Sequence, residues 1–375
     1  MRKLHQKTKN FAIKTVINLI KQMNLVDINY CAVPSKFLVI STTGIGDTLW
    51  GTPAIRALKE TYPECYIGVL TNPAGFELLR ENPNIDGLFI FRRGLKGILS
   101  LPILLRALRQ KRFEIVFIFH ASDRIIWPIS FLTGAAEIIG IEGQNKGLDF
   151  VLTRRLAPQN NIHGIEARLN LINLIGAETS NKSISIYLTE KDRETAERFL
   201  RDNGITQDTL LVGLHPAAQK PFKCWPQENF ITLGNTLTER FKCRIIITGD
   251  SGEKALADMV SLKINDSITF AGKLTIRETA ALIERLNIFI TNDTGPMHIA
   301  FALKTPTIAL FCPTDPKLCG PYHTERVVII EKPKTCNPCI GKKCDTPRCM
   351  EQIKVEEVLE SVKSLLNSKI RDNIK

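Results

Sequence analysis

Short apolar runs alternate with amphipathic segments along most of this chain, and this alternation limits its fold more than any other feature. Parallel strands need crossover connections, usually helices, so such alternation is typical of a doubly wound parallel sheet. The predicted strands are 37–42, 66–70, 88–91, 115–119, 210–214, 244–248, 268–270, 288–291 and 307–311. The predicted helices are 52–61, 74–81, 98–110, 226–240, 253–262, 275–286 and 355–370.

A polar stretch around 159–206 interrupts the pattern, which then starts again. We therefore expect an α/β protein with two Rossmann-like halves that face one another across a cleft. The chain of 375 residues is long enough for two such domains, each with its own core. The last predicted helix is amphipathic, and we expect it to pack across both halves.

The chain is basic, with 50 Lys and Arg against 38 Asp and Glu and a formal net charge of +12. This excess indicates acidic partners: nucleotide phosphates, nucleic acid or an anionic membrane surface. Aromatic residues make up only 7% and lie mostly in apolar runs. Nucleic-acid binding through exposed aromatics interleaved with basic residues is therefore disfavoured.

Residues 1–34 lie outside the alternating pattern and combine lysines with apolar residues at helical spacing. This basic amphipathic extension is interpreted either as a helix on an anionic membrane surface or as a helix docked on the protein with solvated lysines. The lysines interrupt any signal-peptide pattern, and uncharged stretches such as 125–136 are too short to span a bilayer. We expect a cytoplasmic protein whose ten cysteines are reduced.

Residues 291–298, Thr-Asn-Asp-Thr-Gly-Pro-Met-His, separate a predicted strand from an apolar helix. Pro296 suits the first turn of that helix, and Asp293 or Thr294 can cap it. The first backbone N–H groups would then point beyond the carboxyl end of the sheet, where the helix dipole favours an anion. This pattern predicts a phosphate site whose donors are the N–H groups of Gly295, Met297 and His298.

A glycine-rich turn with an aspartate, Gly44-Ile45-Gly46-Asp47, follows the first predicted strand. It is predicted to form a loop at the carboxyl edge of the sheet, where open α/β proteins bind ligands. Asp47 is interpreted either as a catalytic carboxylate or as a turn residue. The dinucleotide fingerprint is incomplete, because Thr48 and Leu49 stand where a third glycine is expected.

Charged residues also follow the strands of the second half. Lys220 and Lys223 suit the neutralisation of a diphosphate, or they are solvated surface lysines. Glu253, at a predicted helix start, is either a charge near the cap or an acceptor for ribose hydroxyls. His298 is expected to pack or to contact phosphate, since no second metal ligand stands at a suitable spacing.

Four cysteines near the end of the chain have the spacing Cys-x2-Cys-x4-Cys-x4-Cys. Four thiolates at this spacing could hold structural zinc, as in a zinc knuckle with cysteine in place of histidine. The alternative is a set of reduced cysteines in a basic loop, and no metal ligand is assigned here. The cysteines are Cys336, Cys339, Cys344 and Cys349.

Taken together and in this order, the motifs resemble glycosyltransferase family 9, the ADP-heptose:lipopolysaccharide heptosyltransferases, which have the two-Rossmann GT-B fold. The resemblance covers the chain from about residue 36 to its end. The matching segments are 46–49 with 52–54, 223–226, 292–296 with His298, 320–322, and the cysteine segment 336–350.

The resemblance implies an acceptor domain at 35–190, a nucleotide-sugar domain at 205–350 and a terminal helix at 351–375. It makes Asp47 the general base and assigns the donor diphosphate to Lys223, so these two are the predicted catalytic residues. The predicted nucleotide-sugar-binding residues are Gly46, Lys220, Glu253, Asp293, Thr294, Gly295, Pro296, Met297 and His298.

The expected activity is inverting transfer of heptose from ADP-heptose to the lipid-linked inner core of lipopolysaccharide. One base without a second nucleophilic carboxylate predicts a single displacement. The sequence has no Asp-x-Asp pair, so no resident metal cofactor is expected, although magnesium is compatible with the diphosphate. We expect peripheral contact with the inner face of the inner membrane and no nucleic-acid partner. The alternatives are a GT-B epimerase or hydrolase and a zinc-knuckle nucleic-acid-binding protein.

Overall fold

The computed structural model describes residues 2–23, 26–31, 33–121, 123–336, 339, 344 and 348–372. The chain divides into two compact units, Met1–Ile184 and Ser185–Lys375. Each unit is built on one six-stranded parallel sheet with helices packed against it. The α/β prediction with two Rossmann-like halves is confirmed.

The strands of the first unit are arranged β3-β2-β1-β4-β5-β6. The order turns back at β1, so the carboxyl ends of β1 and β4 border the position where Rossmann-like sheets bind ligands. The strands are β1 (Lys36–Ser41), β2 (Tyr66–Thr71), β3 (Gly87–Ile90), β4 (Ile115–His120), β5 (Glu137–Ile141) and β6 (Arg154–Leu156). The helices are α1 (Arg2–Gln22), α2 (Ile45–Leu49), α3 (Thr52–Thr61), α4 (Pro73–Leu79), α5 (Gly94–Lys111), α6 (Ile126–Leu132) and α7 (Gly164–Asn173).

The second unit repeats this topology, with the order β9-β8-β7-β10-β11-β12. Its ligand position is bordered by the carboxyl ends of β7 and β10. The strands are β7 (Leu211–His215), β8 (Arg244–Ile247), β9 (Ser267–Thr269), β10 (Ile288–Asn292), β11 (Thr307–Phe311) and β12 (Val327–Glu331). The helices are α8 (Glu190–Asp202), α9 (Gln227–Phe241), α10 (Lys254–Leu262), α11 (Ile276–Arg285), α12 (Gly295–Ala302), α13 (Pro316–Cys319), α14 (Arg348–Glu351) and α15 (Val355–Asp372).

Central strands are buried on both faces, as expected for parallel sheets covered by helices. β1, for example, has the buried residues Phe37, Leu38, Val39 and Ile40 in succession. Leu38 and Ile40 belong to a core shared with α5 and α6. The strands β5, β6 and β12 were not predicted. β6 has three residues, two of them arginine, and lacks a strand signal, whereas β5 and β12 are rich in isoleucine and valine and carried a readable one.

The basic N-terminal segment forms α1 and is docked on the first unit. Ile17 is buried in that unit's core, and Ile13 and Ile20 pack against it. Lys14 and Lys21 lie over the rings of Phe150 and Phe131. The structure shows a helix docked on the protein, and contact of its outer side with a membrane stays a prediction.

The predicted C-terminal helix is present as α15. Its buried residues Val358, Leu359, Val362 and Leu365 join the core of the second unit, against α9, β11 and β12. Its packing across both halves stays a prediction. Among the described residues, no helix combines the length and the apolar character needed to cross a membrane.

Candidate active site

Asp47 lies just beyond the carboxyl end of β1, on the short helix α2 and not in the predicted loop. Gly44 precedes the helix in an extended conformation, and its carbonyl accepts bonds from the backbone N–H and the hydroxyl of Thr48. The glycine-rich turn therefore closes into one helical turn. This turn carries Gly46 beside Asp47 at the ligand edge of the first sheet.

The carboxylate of Asp47 is held by residues from three other segments. Its Oδ1 accepts a 2.9 Å hydrogen bond from Arg168 on α7. Its Oδ2 lies 3.6 Å from Nδ1 of His120, the last residue of β4. The Thr43 hydroxyl bonds to Asp47 and lies 2.8 Å from the same His120 nitrogen. Asp47, Thr43 and His120 thus form a connected polar chain.

Arg168 is buried, and its guanidinium also donates to the carbonyl of Gly164 at 2.6 Å. Its charged group lies 5.3 Å from the ring of Trp50, a cation–π distance. These contacts fix the planar guanidinium of Arg168 beside the carboxylate of Asp47. The side chain of Asp47 remains 26% exposed. One carboxylate oxygen is anchored while the group as a whole still reaches solvent.

This environment keeps Asp47 ionised. Burial alone would raise the pKa of its carboxyl, but the charges of Arg168 and His120 and the hydrogen bonds outweigh burial, and the pKa lies below its usual value. Burial lowers the pKa of His120, with the Asp47 charge opposing this effect. His120 is therefore predominantly neutral at pH 7, and Asp47 is negatively charged.

The sequence interpretation missed Arg168, His120 and Thr43. Two of them had a readable signal: His120 directly follows the apolar run 115–119, and Arg168 interrupts the apolar positions of α7. A charged residue on a buried helix face needs a partner, because an unpaired buried charge is costly. Thr43 carries no such signal by itself.

In the second unit, Asn292 joins the loop after β7 to the end of β10. Its side chain is fully buried. Its amide donates to the carbonyls of Pro216 and Ala217, at 3.0 and 3.3 Å, and its oxygen accepts from the backbone N–H of Trp225 at 2.9 Å. One asparagine therefore brings the predicted segments 215–226 and 291–298 together.

Asp293 does not cap α12; it forms an ion pair instead. Its Oδ2 accepts 2.5 Å hydrogen bonds from Nζ of Lys223 and from the hydroxyl of Thr314. Thr294 occupies the N-cap position, but its side chain makes no capping bond. Lys223 is only 21% exposed, so its interpretation as a solvated surface lysine was wrong. The structure brings Lys223 and Asp293 together, two residues that the family resemblance assigned to the same diphosphate.

The start of α12 differs from the prediction at one donor. The N–H of Met297 already bonds to the carbonyl of Thr294 at 3.2 Å, so it is not a free donor for phosphate. Met297 is fully buried, and His298 is buried with its ring 5.9 Å from that of Phe301. Pro296 occupies the first turn, as predicted.

Glu253 precedes α10 and closes its own turn, where its carboxylate accepts from the N–H of Asp250 at 2.9 Å. Burial raises the pKa of Glu253. Nε2 of His215, at the end of β7, lies 3.8 Å from Oε2 of Glu253. Burial lowers the pKa of His215 to about 4. Lys220 is exposed at the neighbouring loop.

The described residues contain no group of three or more His, Cys, Asp or Glu side chains placed to hold a metal ion. All four cysteines of the motif are described; Asn337, Pro338, Lys342 and Lys343 lie outside the described residues. Cys349 is buried, and its sulfur is within 3.2 Å of both the N–H and the hydroxyl of Thr335. Burial would raise the pKa of this thiol, but these hydrogen bonds lower it on balance.

Comparison with known proteins places this chain in a family. The sequence profile of glycosyltransferase family 9 (heptosyltransferase) matches residues 103–349. Lipopolysaccharide heptosyltransferase 3 of Escherichia coli K12 is 28% identical over 294 residues, which cover 76% of this chain and 84% of that protein.

Two solved structures share the fold. A family 9 glycosyltransferase from Veillonella parvula has a TM-score of 0.78 at 23% identity, covering 89% of this chain and 97% of that one. E. coli ADP-heptose heptosyltransferase II has a TM-score of 0.74 at 19% identity, covering 89% and 99%. These likenesses confirm the predicted GT-B fold class. With more than half of its length matched by the family profile, the chain is a glycosyltransferase that belongs to family 9 (heptosyltransferase).

Proposed function

We propose that this enzyme transfers a heptose from ADP-heptose to the lipid-linked inner core of lipopolysaccharide, with inversion at the anomeric carbon. Family membership supports the transfer of a sugar. The names of the relatives, a lipopolysaccharide heptosyltransferase 3 and an ADP-heptose heptosyltransferase II, support the acceptor and the donor. In this proposal the enzyme works at the cytoplasmic face of the inner membrane, where its net charge of +12 favours an anionic surface.

The position of the Asp47 carboxylate, anchored by Arg168 and partly exposed, is the observation that carries the proposed mechanism. Arg168 holds one of its oxygens at 2.9 Å, while the side chain remains partly exposed at the ligand edge of the first sheet. The acceptor hydroxyl oxygen attacks the anomeric carbon, Asp47 takes the proton, and the bond from that carbon to the β-phosphate oxygen breaks. ADP leaves with the bond electrons. General base catalysis of this kind contributes roughly 10²–10⁴-fold.

The donor diphosphate is assigned to Lys223 and the start of α12. The ammonium of Lys223 has three N–H donors, and its bond to Asp293 uses one of them. The dipole of α12 adds a partial positive charge where Gly295 opens the helix. Such donors stabilise the leaving diphosphate as its charge grows, and removing one donor typically costs about 3 kcal/mol.

Product analysis separates this proposal from its alternatives. The purified enzyme is given a panel of sugar nucleotides with a heptose-deficient lipopolysaccharide, and the product linkage is determined by NMR. A β-linked donor that yields an α-linked heptose supports inverting transfer. Free sugar or an epimerised nucleotide would instead indicate a hydrolase or epimerase. We propose that no resident cofactor is required, so transfer should persist when EDTA-treated, desalted protein is assayed in a buffer that supplies only Mg²⁺. A requirement for any other metal would contradict this, whereas stimulation by Mg²⁺ is consistent with an ion that accompanies the diphosphate.

Variants of Asp47 and Lys223 separate the proposed base from the proposed diphosphate contact. Asp47→Asn preserves side-chain shape and a hydrogen-bond acceptor for Arg168, and it should reduce transfer about 10²–10⁴-fold with donor binding nearly unchanged. Asp47→Ala should abolish transfer, and it also leaves Arg168 without its carboxylate partner. Lys223→Met should weaken both donor binding and transfer. Undiminished transfer in both Asp47 variants, at equal amounts of folded protein, would contradict the base assignment.

A further inference from the structure

The helix α5 is apolar on two opposite faces. Its inner face, with Leu101, Leu104, Leu105 and Leu108, packs into the core of the first unit. Its outer face carries apolar side chains with helical i, i+3, i+4 and i+8 spacing, each between 65% and 75% exposed. These outer residues are Leu95, Ile98, Leu99 and Ile103. Core packing explains the inner face but not the outer one.

The helix α1 adds a second set of exposed apolar residues to the same layer of the first unit. Both α1 and α5 contact α6, and Ile17 of α1 shares one core with Leu108 of α5. They therefore cover the same face of the sheet, with their outer sides turned to solvent. The exposed apolar residues of α1 are Phe11, Val16 and Leu19, and Met23 directly follows the helix; each is more than half exposed. We call these eight residues the α1–α5 surface.

The charges on these two helices are all of one sign. By sequence, α1 contains six Lys or Arg and α5 contains four, and neither helix contains Asp or Glu. Lys96 and Arg106 are exposed beside the apolar residues of α5, and Lys9 is exposed on α1. Exposed apolar side chains bordered by basic groups are the combination with which interfacial helices bind anionic bilayers.

The alternative occupant of an apolar surface is a second copy of the chain. Isologous pairing would bring two sets of basic residues together, and neither α1 nor α5 offers an acidic residue to neutralise them. An anionic lipid surface supplies both an apolar interior and negative phosphates. Charge complementarity therefore favours the bilayer over self-association.

We propose that the α1–α5 surface docks the enzyme on an anionic phospholipid bilayer. Ile98, Leu99 and Ile103 enter the interfacial region, and Lys96 and Arg106 contact lipid phosphates. This inference rests on the proposed function, because an enzyme whose acceptor is linked to a lipid has to reach a membrane. It identifies the surface that meets the membrane, and its test requires neither donor nor acceptor.

Vesicle flotation with the full chain tests the proposal. The wild-type protein should float with vesicles of phosphatidylglycerol and phosphatidylcholine, at least tenfold more strongly than with phosphatidylcholine alone, and less at high salt. The triple variant Ile98→Ser/Leu99→Ser/Ile103→Ser should bind anionic vesicles at least tenfold more weakly. Lys96→Gln/Arg106→Gln should reduce the preference for phosphatidylglycerol.

Leu262→Ser provides the matched control, because Leu262 is 87% exposed on α10 in the second unit. It should leave flotation unchanged. Thermal unfolding and ADP binding should be the same in the triple variant as in the wild type, which shows that folding is intact. Flotation of the triple variant at wild-type strength would overturn the proposal, as would a wild-type dimer that this variant converts to monomer.

Separate experiments test the proposed sugar transfer and the proposed membrane docking. Transfer to a detergent-dispersed acceptor tests the chemistry without a bilayer, whereas flotation tests docking without any substrate. A chain that floats through the α1–α5 surface but transfers no sugar would contradict the proposed function alone. A chain that transfers sugar but does not bind anionic vesicles would contradict the docking surface alone.

Discussion

The two units place the same kinds of side chain at the ligand edges of their sheets but expose them differently. Asp47 has an arginine and a threonine as partners, and Asp293 has a lysine and a threonine. The side chain of Asp47 is 26% exposed, whereas that of Asp293 is 6% exposed and places both bonds on one oxygen. The difference in exposure fits the proposed roles, in which Asp47 is the base and Asp293 is a structural anchor for Lys223.

One histidine in each unit shows the same difference in exposure. His120 and His215 each end a strand, and each has Nδ1 next to a threonine hydroxyl, at 2.8 and 3.1 Å. His120 lies 3.6 Å from Asp47 and is partly exposed, whereas His215 is buried near Glu253. In the first unit the histidine joins the carboxylate site. In the second unit the histidine is buried, and we expect it to affect stability.

The largest expected effect concerns His215 and the stability of the fold at acid pH. Burial lowers its pKa from 6.5 to about 4, so the unfolded chain binds the proton more tightly. The stabilisation is complete above pH 6.5 and is lost as the pH falls to 4, about 3 kcal/mol at roughly 1.36 kcal/mol per pKa unit. His215→Gln should flatten the pH dependence of the unfolding free energy over this interval.

Urea unfolding from pH 4 to 7 measures this difference. The groups that face His215 are Thr248, Asp250 and Glu253, so Glu253→Gln serves as a second variant that retains the histidine. It should keep most of the wild-type slope. Parallel stability curves for the wild type and His215→Gln would show that His215 does not titrate in this way.

The next effect tests Asp293 as an anchor. Asp293→Asn removes the negative charge that pairs with Lys223 and accepts from Thr314, and it should lower the free energy of unfolding by about 2 kcal/mol. Asp315→Asn is the matched control, because Asp315 is exposed and caps α13, a position that asparagine fills equally well. Equal stabilities of the two variants would remove the distinction between anchor and base.

Variants of Arg168 test how the carboxylate of Asp47, the proposed base, is positioned. Arg168→Met removes the charge that most strongly lowers the pKa of Asp47, so the acidic limb of the kcat/KM profile should shift toward neutral pH. Misplacement of the carboxylate should also reduce kcat about tenfold. Arg168→Lys retains the positive charge but not the planar guanidinium, so it should shift the acidic limb of the kcat/KM profile less than Arg168→Met does. An unchanged pH profile in Arg168→Met, with only stability reduced, would leave Arg168 a purely structural role.

The strand–helix alternation was sufficient to predict the sheets, because parallel strands and their crossover helices each leave a periodic signal. Helix α3 and strand β11 have the predicted limits. Helix α2 was missed because a single turn that follows Gly44 and contains Gly46 and Asp47 has the composition of a loop. The position of Asp47 at the edge of the sheet was nevertheless predicted, since it depends on the strand and not on the turn.

The partners of the site residues were harder to predict, because they come from distant parts of the sequence. Arg168 is 121 positions from Asp47, and Lys223 is 70 positions from Asp293. The motif pattern placed Lys223 and Asp293 in one unit, whereas nothing local connects Arg168 with Asp47. The Met297 N–H was predicted as a phosphate donor, yet the turn around Pro296 directs it to the carbonyl of Thr294. Tertiary packing and turn geometry decided these cases.

The smallest expected effect concerns His120, and it tests whether the histidine of the first unit takes part in proton transfer. Burial lowers the pKa of His120, so it is largely neutral at pH 7 and adds little charge beside Asp47. His120→Gln keeps a hydrogen-bonding group near Thr43, and kcat at pH 7 should change less than about threefold, because this partly exposed contact is screened by solvent. Below the pKa of His120, the wild-type histidine becomes a cation that favours ionised Asp47, so the variant should lose activity at a higher pH than the wild type. A loss of kcat at pH 7 as large as that of Asp47→Asn would instead make His120 an essential proton carrier. The base would then be Asp47 together with His120 and not the carboxylate alone.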